Sequence, residues 1–162
     1  MSAGTHAFAW EDPTATLTAG QHRSGLEIWR GIAAGELPHP PIGALMDFTL
    51  PLVEEGRIVF ASDAAPWMLN PIGSVHGGVY ATLLDSATGC AVHSMLPAGV
   101  GYTSLDLTVK FLRPVTVDSG LLTCEGTVIQ RGRRTALAQA QLSDEAGQLV
   151  AHATSSCMIF TS

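Results

Sequence analysis

The sequence predicts an α+β fold in which one long, mostly apolar helix lies against an antiparallel six-stranded sheet. Three observations carry that prediction: a largely apolar run after Gly78, a hairpin pattern before it, and four alternating runs after it. With 162 residues, 46% hydrophobic and only 14% charged, the chain suits a single domain with a large core.

Residues 1–22 mix small, polar and isolated aromatic residues without a period, and are expected to form a loose N-terminal arm or a segment laid on a neighbour. The domain proper is expected over residues 23–162. From Gly25, Leu26, Trp29, Ile32 and Ala33 recur at helical spacing with Gly35 near the end, so a short amphipathic helix is predicted, broken by the HPPIG stretch. The next stretch, IGALMDFTLPLVEEGRIVFASDA, reads as two extended runs joined at Glu54-Glu55-Gly56.

The stretch Asn70 to His93, NPIGSVHGGVYATLLDSATGCAVH, organises the rest. Pro71, Gly73, Gly77 and Gly78 punctuate its entry, and a helix is predicted from Val79 until Pro97 and Gly99 stop it. At 100° per residue Tyr80, Leu83, Ala87 and Cys90 share a core-facing stripe. The opposite face collects Gly78, Ala81, Thr82, Asp85, Thr88 and Gly89, so the one acid in the run is ringed by small side chains. At the N-terminus of this helix the Gly77 and Gly78 amides are donors suited to an oxyanion. Asp85 lies eight residues beyond Gly77, which at ~1.5 Å per residue is ~12 Å along the axis. One helix cannot aim both groups at one carbonyl, whereas two antiparallel copies could, so cooperation between them requires at least a dimer.

After the helix, TSLDLTVKFLRPV alternates Leu105, Leu107, Val109 and Phe111 with Ser104, Asp106, Thr108 and Lys110, the pattern of one strand with one buried face. Leu121 to Gln130, Thr135 to Ser143 and Gln148 to Phe160 continue as strands separated by turn residues.

Eight Lys and Arg against fourteen Asp and Glu give a net charge of −6, which disfavours binding to nucleic acid or an anionic membrane. No apolar segment is long enough to span a bilayer, and MSAGTHAFAWEDP lacks the basic and apolar regions of a signal peptide, so a cytoplasmic protein is expected. A mean hydropathy of +0.27 is high for such a chain and suggests apolar surface buried between subunits. Cys90, Cys124 and Cys157 are widely spaced within apolar patterns and read as buried free thiols. The six His are scattered without metal-ligand spacing, so neither a metal nor another cofactor is expected. There is no G-x-S-x-G element and no Gly-rich phosphate loop. Lys110, Arg113, Arg131, Arg133 and Arg134 fall within 25 residues, a positive cluster suited to an anionic ligand such as the phosphates of CoA, or else solvated strand ends and turns.

Asn70, six residues before His76, and Asp85, nine after it, form the signature N-x5-HGG-x6-D, which is followed by TSLDLTVKFLRP. Over roughly Leu26 to Phe160 this resembles the hotdog-fold acyl-CoA thioesterases, in particular the PaaI-like, phenylacetate-pathway branch. The resemblance implies a hotdog fold with the long helix as the sausage and the sheet as the bun, homodimers that often pair into homotetramers, and acyl-CoA hydrolysis at the dimer interface. It implies that Asp85 is the catalytic acid residue, that the Gly77 amide is the oxyanion donor, and that Asn70 and His76 stand beside the thioester carbonyl and the attacking water. It further implies an assisting hydroxyl from Ser104, with Thr103 a close competitor; Gly78, Thr103, Arg113, Arg133 and Arg134 are the candidate substrate- and CoA-binding residues.

The chemistry is consistent with such a site. A thiolate leaves readily, so a base or nucleophile and an oxyanion donor suffice, and a carboxylate in apolar surroundings gains basicity by desolvation. Bland readings stand beside each assignment: Asp85 as a helix-surface acid, His76 as a helix cap, Asn70 as a turn residue of an Asn-Pro step, and the Gly pair as a close-packing device. Trp67, Met68 and Tyr80 are candidates for the acyl pocket or for the core. The rival functions are a non-catalytic acyl-CoA-binding protein and a hotdog enoyl-CoA hydratase or dehydratase, in which His76 and Asp85 would act as a pair.

Overall fold

A computed structural model describes residues 3–161. Three short helices lead into the domain: α1 (Pro13–Gly20), α2 (Gly25–Ala33) and α3 (Pro41–Leu45). The hairpin β1 (Thr49–Glu54) and β2 (Arg57–Asp63) follows, then the long helix α4 (Gly77–His93) and the strands β3 (Val100–Ser104), β4 (Thr108–Phe111), β5 (Leu121–Arg131), β6 (Thr135–Ser143) and β7 (Leu149–Thr161). The sheet is antiparallel in the order β1-β2-β5-β6-β7-β3, with β4 also paired to β7. This is the hotdog fold: α4 lies along the concave face and packs on β2 through β7.

Each helix begins with a local device. Ser24 and Glu27 close a capping box at the start of α2, and Asp12 caps α1 with Pro13 at its first position. His76 caps α4, its Nδ1 accepting the Gly78 N–H at 2.9 Å. The β1–β2 turn needs Gly56, which sits at φ +74°. Leu83, Leu84, Ala87 and Ala91 of α4 are fully buried, and together with Ile58, Leu122, Cys124, Leu142 and Ala153 of the sheet they form the centre of the core.

Several expectations change. The sheet has seven strands, because the TSLDLTVKFLRPV run breaks at residues 105–107. There Asp106 turns its carboxylate onto the Ser156 N–H (2.9 Å) and its carbonyl accepts the Ser155 hydroxyl (2.8 Å), bonds that replace regular pairing. Its supposed buried face is only half covered: Leu107 and Val109 are half-buried, while Leu105 and Phe111 are 58% and 57% exposed. The arm contains a helix, α1, and folds back on its own chain, with His6 stacked on Trp67 and hydrogen-bonded to the Leu45 carbonyl. The HPPIG stretch does not end α2, which stops at Ala33 ahead of Gly35 at φ +74°; it starts α3 instead, since proline is favoured at a first helical position. Thr88 and Gly89 of α4 belong to the buried side rather than to the open face around Asp85. The three cysteines are free and buried, as their apolar settings indicated.

Candidate active site

Asp85 lies in the middle of α4, on the part of that helix left uncovered by the sheet. Ser104, the last residue of β3, donates its hydroxyl to Asp85 Oδ1 at 3.1 Å. β3 holds that hydroxyl in place through its ladder with β7, Ser104 opposite Cys157 and Thr103 opposite Met158. Neighbouring residues on a strand face opposite ways, so with Ser104 directed at Asp85, Thr103 points to the other side of the sheet. Among the described residues Asp85 forms no ion pair.

The carboxylate stands between two spaces of different character. On one side is an apolar pocket of about 220 Å³ walled by Trp29, Phe48, Phe60, Cys90 and Tyr102, with Asp85, Ser86 and Ser104 at its mouth. On the other is an open groove along Ala81, Thr82 and residues 105–107. The enclosed side is mostly apolar and the groove is open to solvent, so the carboxylate stands where an apolar space meets a wet one. Burial pushes the Cys90 thiol well above its ordinary value, and the Tyr102 hydroxyl likewise, so neither is a nucleophile near neutral pH. His39 also lines the pocket, and burial lowers its affinity for a proton, which keeps the imidazole neutral.

The oxyanion candidates lie at the N-terminal end of α4. Of the two glycine amides, that of Gly78 is taken by His76, whereas the Gly77 N–H has no acceptor among the described residues. Gly77 is packed closely: a Cβ there would meet Phe111 Cε1 and Cζ at 3.2 Å. Ser74, Phe111 and Arg113 surround it in a shallow depression separate from the Asp85 pocket. The eight residues from Gly77 to Asp85 keep these groups ~12 Å apart along one continuous helix.

Asn70 and His76 do not join Asp85 within the chain. Asn70 is spent on its own loop: Oδ1 accepts the Ile72 and Ser74 amides at 3.1 and 3.3 Å, and Nδ2 donates to Ser74 Oγ at 3.0 Å. His76 is exposed at the α4 N-terminus beside Gly77. The cluster of basic residues divides in two. Lys110 and Arg113 sit against His152 and Val150 of β7, while Arg131, Arg133 and Arg134 lie at the β5–β6 turn, near Cys157 and Ile159. Nine residue steps along β7 separate Val150 from Ile159, roughly 30 Å. Closeness in sequence did not translate into one patch because β4 and the β5–β6 turn meet opposite ends of β7.

Trp67, Met68 and Tyr80 take no part in the Asp85 pocket. Trp67 stacks on His6 with centroids 4.1 Å apart, Met68 is buried in the core, and the buried Tyr80 hydroxyl accepts the Val115 N–H at 2.9 Å. The pocket instead takes Trp29 from α2 and Ile42 and Gly43 from α3. The only sequence signal for them was an amphipathic helix ending in a proline pair.

The sequence model of the thioesterase superfamily matches residues 72–151, which span α4 with Asp85, β3 with Ser104, β4 to β6 and the start of β7. A thioesterase candidate of Ralstonia eutropha related to phenylacetic acid degradation is 32% identical, covering 80% of this chain and 98% of that one with a TM-score of 0.74. The chain belongs to the thioesterase superfamily. An esterase candidate of Halobacterium salinarum is 41% identical over 69 residues, which span 41% of this chain and 44% of that protein. A Streptococcus mutans protein solved bound to acetyl CoA shares the fold at 24% identity and a TM-score of 0.65, covering 70% of this chain and 89% of that one. Among the described residues of this superfamily member no helix is long and apolar enough to cross a membrane, and no three His, Cys, Asp or Glu side chains are grouped to hold a metal ion.

Proposed function

We propose that the protein hydrolyses acyl-CoA thioesters to free acid and CoA at a site shared between two copies of the chain. The observation that carries this reading is the Ser104-held Asp85 carboxylate at the mouth of an apolar pocket, with the Gly77 amide, which has no acceptor among the described residues, out of its reach on the same helix. Two antiparallel copies of α4 bring the Gly77 end of one chain to the Asp85 end of the other. The same pairing carries Arg113 of one copy towards Thr103, Arg133 and Arg134 of its neighbour, which gives the divided basic groups a common anion to bind. The exposed edge formed by β3 and β4, with Leu105, Phe111 and Leu112 more than half exposed, supports a dimer joined there.

In this site the acyl group enters the Trp29–Tyr102 pocket and the CoA portion lies in the groove and on the basic groups. Asp85 acts as general base on water or as nucleophile on the thioester carbon, Ser104 orients the carboxylate, and the Gly77 amide of the other copy receives the developing oxyanion. His76 and Asn70 shape the loop that presents that amide. The C–S bond breaks, the thiolate leaves as CoA, and water supplies the hydroxyl of the acid. An oxyanion donor of this kind contributes ~3 kcal/mol.

Thiol release from phenylacetyl-, hydroxybenzoyl-, short-, medium- and long-chain acyl-CoAs tests this, with wild type beside Asp85→Ala. Release that falls at least about 100-fold in a folded, still-dimeric variant is expected, because a group acting on the reacting atoms is lost. Intact acyl-CoA after long incubation would instead make the protein a binder, and hydration of an enoyl-CoA without thiol release would make it a hydratase.

A further inference from the structure

The structure assigns Trp29 as the residue that sets the length of acyl group accepted, because its indole is a wall between two cavities that would otherwise be continuous. The inference rests on the acyl group occupying the Asp85 pocket. That pocket, about 220 Å³, ends against Trp29. Behind the indole lies a second cavity of about 420 Å³, lined by Ile28, Ile32, His93 and Val100 and overlaid by Leu17 and Gly20 of α1. Trp29 and Pro40 are the residues common to both linings. Much of the far cavity is apolar wall, which suits an alkyl chain.

The indole is held in place as a partition. Its Nε1–H donates to His93 Nδ1 at 3.0 Å, and its ring stands edge-on to both His93 and Phe60 with centroids 6.1 Å away. The helix that carries it is fixed in turn: the Gly25 N–H donates to the Leu96 carbonyl at 2.9 Å, and Gly25 lies so close to the His93 carbonyl that no Cβ would fit between them. α2 and the end of α4 are therefore fixed to each other, and Trp29, at 8% exposure and bonded to His93, is held between the two cavities. Wild type accepts groups that end at Trp29; without the indole, a chain entering past Asp85 runs on into the space under α1.

Binding of non-hydrolysable S-alkyl-CoA thioethers, from about two to about sixteen carbons, measured by calorimetry, tests the inference independently of turnover. Affinity should rise about fourfold per methylene, the factor that corresponds to burying one CH₂, until the chain meets Trp29, and then level off. In Trp29→Ala the rise should continue for several more carbons, so that the longest thioethers gain at least about tenfold over wild type relative to the shortest. Trp29→Phe keeps a ring against Phe60 while losing the His93 bond and part of the wall, and should move the break by less; it serves if Trp29→Ala fails to fold. A break at the same length in wild type and the folded variants, or affinity independent of chain length in wild type, overturns the inference. A break that moves while no acyl-CoA releases thiol leaves the inference standing and overturns the hydrolase reading.

Discussion

Replacing Gly77 by proline removes one N–H from the proposed site and little else. The first helical position donates to no helical carbonyl, and proline is favoured there. The residue before it, His76, already has φ −64° and ψ 137°, the extended region that a following proline requires. The new Cβ would come within 3.2 Å of the exposed Phe111 ring, which must give by a few tenths of an ångström. Gly77→Ala makes the same contact but keeps the amide, so the ratio of the two variants isolates the hydrogen bond. Loss of one oxyanion donor is worth ~2.7–4 kcal/mol, so kcat for thiol release should be about 100- to 1,000-fold lower in Gly77→Pro than in Gly77→Ala. Their melting temperatures should lie close together. Equal kcat values, within about threefold, in two folded variants would refute the oxyanion role.

Three further outcomes follow from the same contacts. Ser104→Ala removes the donor to Asp85 Oδ1 and should lower kcat by ~10- to 100-fold, the ~1.5–3 kcal/mol of a hydrogen bond to a charged group, while Ser104→Thr retains most activity; unchanged kcat in the alanine variant contradicts the orienting role. Tyr80→Phe strands the buried Val115 N–H and should cost ~1–3 kcal/mol, or roughly 2–4 °C of melting temperature per kcal/mol in a domain of this size; an unaltered melt contradicts it. Burial holds His93 below its ordinary value of 6.5, so the unfolded chain binds more protons there; that stability is complete above about pH 6.5 and is lost as pH falls towards the folded value. Melting temperature should drop between about pH 7.5 and 5.5, less steeply in His93→Asn, which keeps an acceptor for Trp29; an unchanged slope in the variant contradicts this, His39 supplying the remainder.

The central helix, the hairpin and the meander were legible because their signals are local: apolar spacing, glycine turns and alternation. Asp85 was legible as the one acid among small residues, and helix rise alone indicated that Asp85 and Gly77 could act on one carbonyl only from two different chains. The choice of Ser104 over Thr103 required the β3–β7 register, which decides which hydroxyl faces α4. The break at residues 105–107 was hidden because Asp106 finds its partners, Ser155 and Ser156, fifty residues away. The pocket beside Asp85 was hidden for a similar reason: Trp29 lines it from α2, which Gly25 lets approach the end of α4, and Ile42 lines it from α3. In the basic run, sequence proximity pointed to one patch where strand geometry makes two.

The shared site is tested most directly by mixing two inactive variants. Asp85→Ala keeps its Gly77 amide, and Gly77→Pro keeps its Asp85, so a mixed dimer rebuilds one complete site from two defective chains. Co-refolding or co-expressing equal amounts should restore thiol release to about a quarter of wild type, since about half the dimers are mixed and each holds one good site of two. Activity of the mixture no greater than the mean of the two parents, with mixed dimers shown to form, would contradict a site built from Asp85 of one copy and Gly77 of the other.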